Sequence, residues 1–134
     1  MIIEQAIQNQ LLNNAGVAAL VGTNIFYDGT VPQDTAAPYI NLAKISAPRD
    51  YTHDGASGLV DSRFQFSIFS TQYTQNKLIA AAIAGALSGF RGVMGGAGGV
   101  TVGRCFYEDE TDLGKEPQTL FYHLAVDYKI GYNE

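Results

Sequence analysis

LVDSRFQFSIFS (residues 59–70) and QTLFYHLAVDYKIGY (residues 118–132) decide the fold. In the first, Phe64, Phe66 and Ile68 fall on one face while Asp61, Arg63, Gln65 and Ser67 fall on the other. Strand side chains alternate, so such a segment buries one face and leaves the other to solvent. In the second, all six even positions from Leu120 to Ile130 are apolar or aromatic, while the odd ones include Thr119, His123, Asp127 and Lys129. Both segments read as half-buried antiparallel strands.

Between and around them lie helical signals. Ile3, Ala6, Ile7 and Leu11 recur at helical spacing, with Glu4 in the first turn where the helix dipole favours an acid, and predict a helix over residues 2–13. A further apolar turn, Val17 to Val21, closes at Gly22. Thr71 is placed to cap a second main helix running to about Ser88 and ending at Gly89. Short strands are expected over residues 24–27, 39–47 and 100–107. Asp28-Gly29 marks a turn, Pro32 to Pro38 a loop, and residues 49–58 are dense enough in turn formers to read as an exposed connection. The whole predicts an α+β domain spanning residues 1–134.

Length and composition set the bounds. With 134 residues, 46% hydrophobic and 16% charged, the chain is sized for one domain with its own core. Eight Lys and Arg stand against thirteen Asp and Glu, giving a net charge of −5, which disfavours a dedicated nucleic-acid binder or a protein drawn to anionic membranes. The single cysteine, Cys105, makes neither an internal disulfide nor a cysteine-rich metal site, which fits the cytosol best. The first residues, MIIEQAIQNQ, have no basic stretch before an apolar run, and the expectation is a soluble, untargeted chain.

Each constellation that suggests chemistry has a plainer reading. Residues 92–99 hold five glycines in eight positions, yet no Lys-Ser or Lys-Thr follows, and the tract precedes a strand where a phosphate loop precedes a helix. A mobile turn is expected instead. Glu108, Asp109, Glu110 and Asp112, continuing to Glu116, lack the alternation of a calcium loop and read as a solvated or partner-contacting acidic loop, or as an intersubunit salt-bridge surface. Cys105, His123 and Asp127 have the residue types of a nucleophile, base and orienting acid, but no motif surrounds them. His53-Asp54 has too few companions for a metal site. Arginines beside aromatics, at Arg63-Phe64, Phe90-Arg91 and Arg104 to Phe106, suggest a base-stacking surface, but alternation turns Phe64 and Phe66 into the core. No catalytic residue, cofactor or metal site is assigned.

Four segments together carry a resemblance: AALVGTNIFYDGTVPQDTAAPYI, SAPRDYTHDGASGLVDSRFQFSIFSTQY, GFRGVMGGAGGVTV and YEDETDLGKEPQTLFYHLAVDYKIGY. In the central one, Arg49-Asp50-Tyr51-Thr52 leads to Asp54-Gly55, Gly58-Leu59, an alternating strand and the Thr71-Gln72-Tyr73 helix start. Over nearly its whole length the chain resembles the tail completion or tail terminator proteins of long-tailed bacteriophages, prophages and gene transfer agents. The resemblance implies a mostly antiparallel sheet with two main helices packed on one face. It further implies a hexameric ring at the head-proximal end of the tail tube, where it terminates the tail and joins it to the head connector.

The implied partners are copies of the chain, the tail tube protein and the head connector or neck protein, with duplex DNA passing through without tight binding and no membrane involved. The implied location is the virion tail, after assembly in the host cytoplasm. Arg49, Asp50, Tyr51, Asp54, Glu108, Asp109, Glu110, Asp112 and Glu116 are the expected subunit-interface or docking residues. Another head-tail connector or neck protein is the alternative, and a small ligand-binding or hydrolytic α+β domain a more distant one.

Overall fold

The first helix begins where the spacing of Ile3, Ala6, Ile7 and Leu11 places it. All four side chains are buried. The computed structural model describes residues 1–27, 32, 35–52 and 55–133. Its elements are α1 (Ile3–Leu12), α2 (Ala15–Val21), β1 (Ile25–Tyr27), β2 (Tyr39–Ser46), β3 (Arg49–Thr52), β4 (Gly55–Ser70), α3 (Tyr73–Leu87), β5 (Gly92–Met94), β6 (Val100–Lys115) and β7 (Tyr122–Asn133). Among the described residues there are three helices, the two main ones expected and a short one, because the apolar turn after Asn14 is a helix of its own. Asn14 caps it, its Oδ1 accepting from the Val17 amide at 3.1 Å.

The strands join in the order β1-β2-β4-β7-β6-β5, with β3 paired to β4 off this path. Only β1 and β2 run parallel; every other pair is antiparallel. The register puts Leu42 beside Phe66 and Phe66 beside Val126, and likewise Ile40 beside Ile68 and Ile68 beside Leu124. These rows of fully or almost fully buried side chains share one hydrophobic core with Ile7, Leu11, Val17, Ile79, Ile83 and Leu87 of the helices. Burying an aliphatic or aromatic side chain of this size stabilises the fold by about 1.5–3 kcal/mol. Phe66 and Tyr128 meet edge to face, with ring centroids 5.3 Å apart. The first helix touches both β1 and β5, the strands at opposite ends of the sheet order.

Four local expectations change. The described residues of 49–58 are strand, not an exposed connection: β3 pairs with β4, Arg49 opposite Val60 and Thr52 opposite Gly55. The acidic run 108–112 is not a loop. It continues β6 to Lys115, and β7 satisfies its backbone on one side, with Asp109 opposite Asp127 and Glu110 opposite Val126. The glycine tract opens with β5, whose Met94 is fully buried, and turns back through Gly95, Gly96 and Gly98, all at positive φ. Thr71 does not cap α3. That helix starts after Gln72 with no side-chain cap, although Gly89 does follow it at positive φ. The sequence's Asp28-Gly29 turn lies outside the described residues.

Candidate assembly surface

The expected docking residues occupy two places. Arg49 begins β3 opposite Val60, at one end of the sheet, where it donates to the Ala47 carbonyl at 3.3 Å. It lines a groove of about 560 Å3 together with Leu59, Asp61, Arg104, Gly131 and Asn133. Asp50 and Tyr51 follow it along the β3 backbone, and Asp54 lies outside the described residues. The acidic residues of β6 sit at the other end. Val60 aligns with Tyr132 and Glu110 with Val126, six positions further along β7. At 3.3 Å or so per residue, the two places are about 20 Å apart.

The acidic segment divides by face. Glu110 and Asp112 turn toward α3, where Lys77 Nζ is 2.9 Å from Glu110 Oε2 and 3.1 Å from Asp112 Oδ1. Tyr73 OH donates to Asp112 Oδ2 at 3.0 Å. The hydrogen bond to Glu110 foremost, and then that to Asp112, raises the Lys77 pKa. The bond from Lys77 in turn lowers that of Asp112. Half of the expected docking acids in this run therefore hold β6 to α3. Glu108, Asp109 and Glu116 form no ion pair among the described residues. Asp109 accepts from the Glu110 amide at 2.8 Å, and Glu116 accepts from Thr119 Oγ1 at 3.3 Å.

The opposite face of the sheet carries two ion pairs and a row of rings. Arg63 Nη2 lies 2.6 Å from Asp127 Oδ2 on the neighbouring strand, and that hydrogen bond raises the Arg63 pKa. Arg104 reaches Asp61 at 2.8 Å. At the far end, Tyr39 stacks on Phe69 with centroids 4.8 Å apart, and Phe69 on His123 at 4.3 Å. Phe26 and Phe121 each meet Tyr39 edge-on at 6.4 Å. Nothing local in the sequence signals this row. Its members come from four strands and the turn before β7, and each looks solitary in its own segment.

The nucleophile constellation is not assembled. Cys105 is buried in the core opposite Ile130, and burial pushes its thiol up to about 12. Asp127 and His123 occupy the alternate positions of β7, on the other face, Asp127 held by Arg63 and His123 stacked on Phe69. Burial lowers the His123 pKa, an effect that Glu116 partly offsets. Among the described residues no group of three or more His, Cys, Asp or Glu is placed to hold a metal ion. No described helix is long and apolar enough to cross a membrane.

Ion-paired strands, exposed side chains on an edge and a half-buried aromatic row suit contact with other protein surfaces. The fold is shared with a chain in the solved structure "Virion of native gene transfer agent (GTA) particle", at 21% identity and a TM-score of 0.79 over 98% of this chain and 95% of that one. No curated protein matches. Residues 5–133 match the family Tail completion protein gp17, and the chain belongs to that family of structural phage-tail proteins.

Proposed function

We propose that the chain forms a hexameric ring at the head-proximal end of the tail tube, terminating the tail and joining it to the head connector. The observation that carries this reading is the family match along residues 5–133. Two features of the subunit support it. Helix and sheet residues share one core, and the ion-paired face and the β6 edge are the surfaces offered to neighbours. The groove beside Arg49 and the acidic end of β6 are separate surfaces, and a cyclic ring needs two different surfaces, one meeting the other on the next subunit. We assign Arg49, Asp50 and Tyr51 to the first surface and Glu108, Asp109, Glu110, Asp112 and Glu116 to the second; Asp54 lies outside the described residues.

In this role the subunit assembles in the host cytoplasm and resides in the virion, in contact with the tail tube protein and the head connector. DNA passes through the ring lumen without being held. Of the eight Lys and Arg residues, Lys44, Arg63, Lys77 and Arg104 are already paired with carboxylates inside the subunit. With a net charge of −5 and those four cations engaged by carboxylates, binding to labelled duplex should be weak at physiological salt.

Light scattering coupled to size exclusion, with imaging of the same fractions, tests the ring. Closed particles of about six subunits are expected, free in solution or on tails lacking this protein. A protein that stays monomeric and does not join such tails to heads overturns the reading. Rings that bind heads but never tails point to a different connector.

A further inference from the structure

The geometry points to the outer edge of β6, residues 106–115, as a strand-addition site for an extended lysine- or arginine-bearing segment of another protein. β5 pairs with β6 only as far as Val102, and the Gly89 amide takes the Cys105 carbonyl at 2.8 Å. Beyond Cys105, β7 pairs one side of β6, and no described strand pairs the other. A strand edge presents a row of backbone donors and acceptors, and a segment laid along it in extended form satisfies them. At the other end of the sheet β1 is only three residues long, and Gln8 Nε2 donates to the Ile25 carbonyl at 2.7 Å.

Charge selects the occupant. Pairing this edge with the same edge of a second copy would set carboxylates beside carboxylates, which is destabilising. Glu108, Asp109 and Glu116 have no ion pair among the described residues, so a partner strand with basic side chains at alternate positions gains what self-pairing lacks. Phe106 and Leu113, both more than half exposed, flank the acids and offer apolar contact to the residues between those cations. The proposal rests on the reading of this edge as an assembly surface and gives that edge a hetero-partner.

The test uses the full chain and labelled synthetic peptides the length of the edge, followed by fluorescence anisotropy. One alternates lysine with valine, a second replaces lysine by glutamate, and a third pair keeps lysine but carries backbone N-methyl groups at alternate residues, in either phase. The lysine peptide is expected to bind and to slow amide exchange across residues 106–115. The glutamate peptide, and at least one N-methyl phase, should bind about tenfold more weakly or worse. The double variant Glu108→Lys, Asp109→Lys should lose the lysine peptide while keeping its melting temperature. No binding of the lysine peptide overturns the proposal. So does binding of both N-methylated forms as tightly as the unmethylated lysine peptide, which would mean charge attraction without strand pairing. A charge-reversed variant that loses self-association but keeps the peptide would assign the edge to a second copy, again overturning it while leaving the ring reading intact.

Discussion

Arg104 lies across Gly131 to reach Asp61, its Nη2 2.8 Å from the carboxylate. The three residues stand in one row of the sheet, Arg104 opposite Gly131 and Gly131 opposite Asp61. A Cβ at Gly131 would come within 2.9 Å of Arg104 Cγ and 3.0 Å of its Nε. The missing side chain on β7 therefore lets a cation on β6 pair with an acid two strands away.

Replacing Gly131 by valine should uncouple that pair. In the wild-type background, a double-mutant cycle of Arg104→Ala and Asp61→Ala should give a coupling of about 0.2–1 kcal/mol, the range for partly exposed pairs. In the Gly131→Val background the coupling should vanish. Urea denaturation of the eight proteins measures both, and an unchanged coupling would show that Arg104 can take another route.

Tyr128→Phe should stabilise the protein. The ring of Tyr128 is fully buried between Phe66 and Tyr107, and its hydroxyl has no hydrogen-bond partner among the described residues. Burial raises its pKa, so the hydroxyl stays protonated. Removing an unsatisfied buried hydroxyl relieves a desolvation cost of about 1–3 kcal/mol, less whatever weak interaction it makes. A higher urea midpoint with an unchanged slope is the expected result, and a loss of more than about 1 kcal/mol would show that the hydroxyl is satisfied.

Cys105 should be inert in the folded protein. Its thiol, raised from 9.0 to about 12 by burial alone, holds almost no thiolate at neutral pH. Thiol reagents at pH 8 should label it only at the rate of unfolding, and at full speed in denaturant. Rapid labelling of the native protein would reopen a reactive role.

His123 should make the protein less stable as pH falls. Its folded pKa is lowered from 6.5, so in the window between the folded value and 6.5 the unfolded chain binds more protons. Stability therefore rises with pH through that window and is lost below 6.5. Melting of the wild type and of His123→Gln from pH 7.5 downward should show the wild type losing more of its stability, the difference levelling off below the folded pKa. Parallel curves would mean that His123 titrates normally.

The sequence showed the middle of the sheet and missed its margins, for one physical reason. Alternation marks a strand only where one face is buried and the other wet. Residues 60–70 and 124–132 meet that condition, as the buried Phe64, Phe66, Val126 and Ile130 show. Past Cys105, the side chains of β6 through Lys115 are all exposed, so no period survives and charge density alone reads as a loop. The backbone bonds that make it a strand come from β7 and leave no trace in local composition. The same holds for the site. The acids were visible as a run, but their division between Lys77 and solvent depends on a helix more than thirty positions away. Arg104 and Asp61 are forty-three positions apart, with nothing local to join them.

β7 lies between β4 and β6 in space but follows both along the chain. During synthesis, then, β4 and β6 leave the ribosome with their inner edges bare, and no ladder links the two halves of the sheet until the final strand arrives. Most of the pairing is long-range, the kind of topology that folds slowly and exposes strand edges on the way. A chain cut short before β7 would lack the sheet's keystone and keep two long, adhesive edges. The two halves of the sheet are thus joined only when β7 is in place.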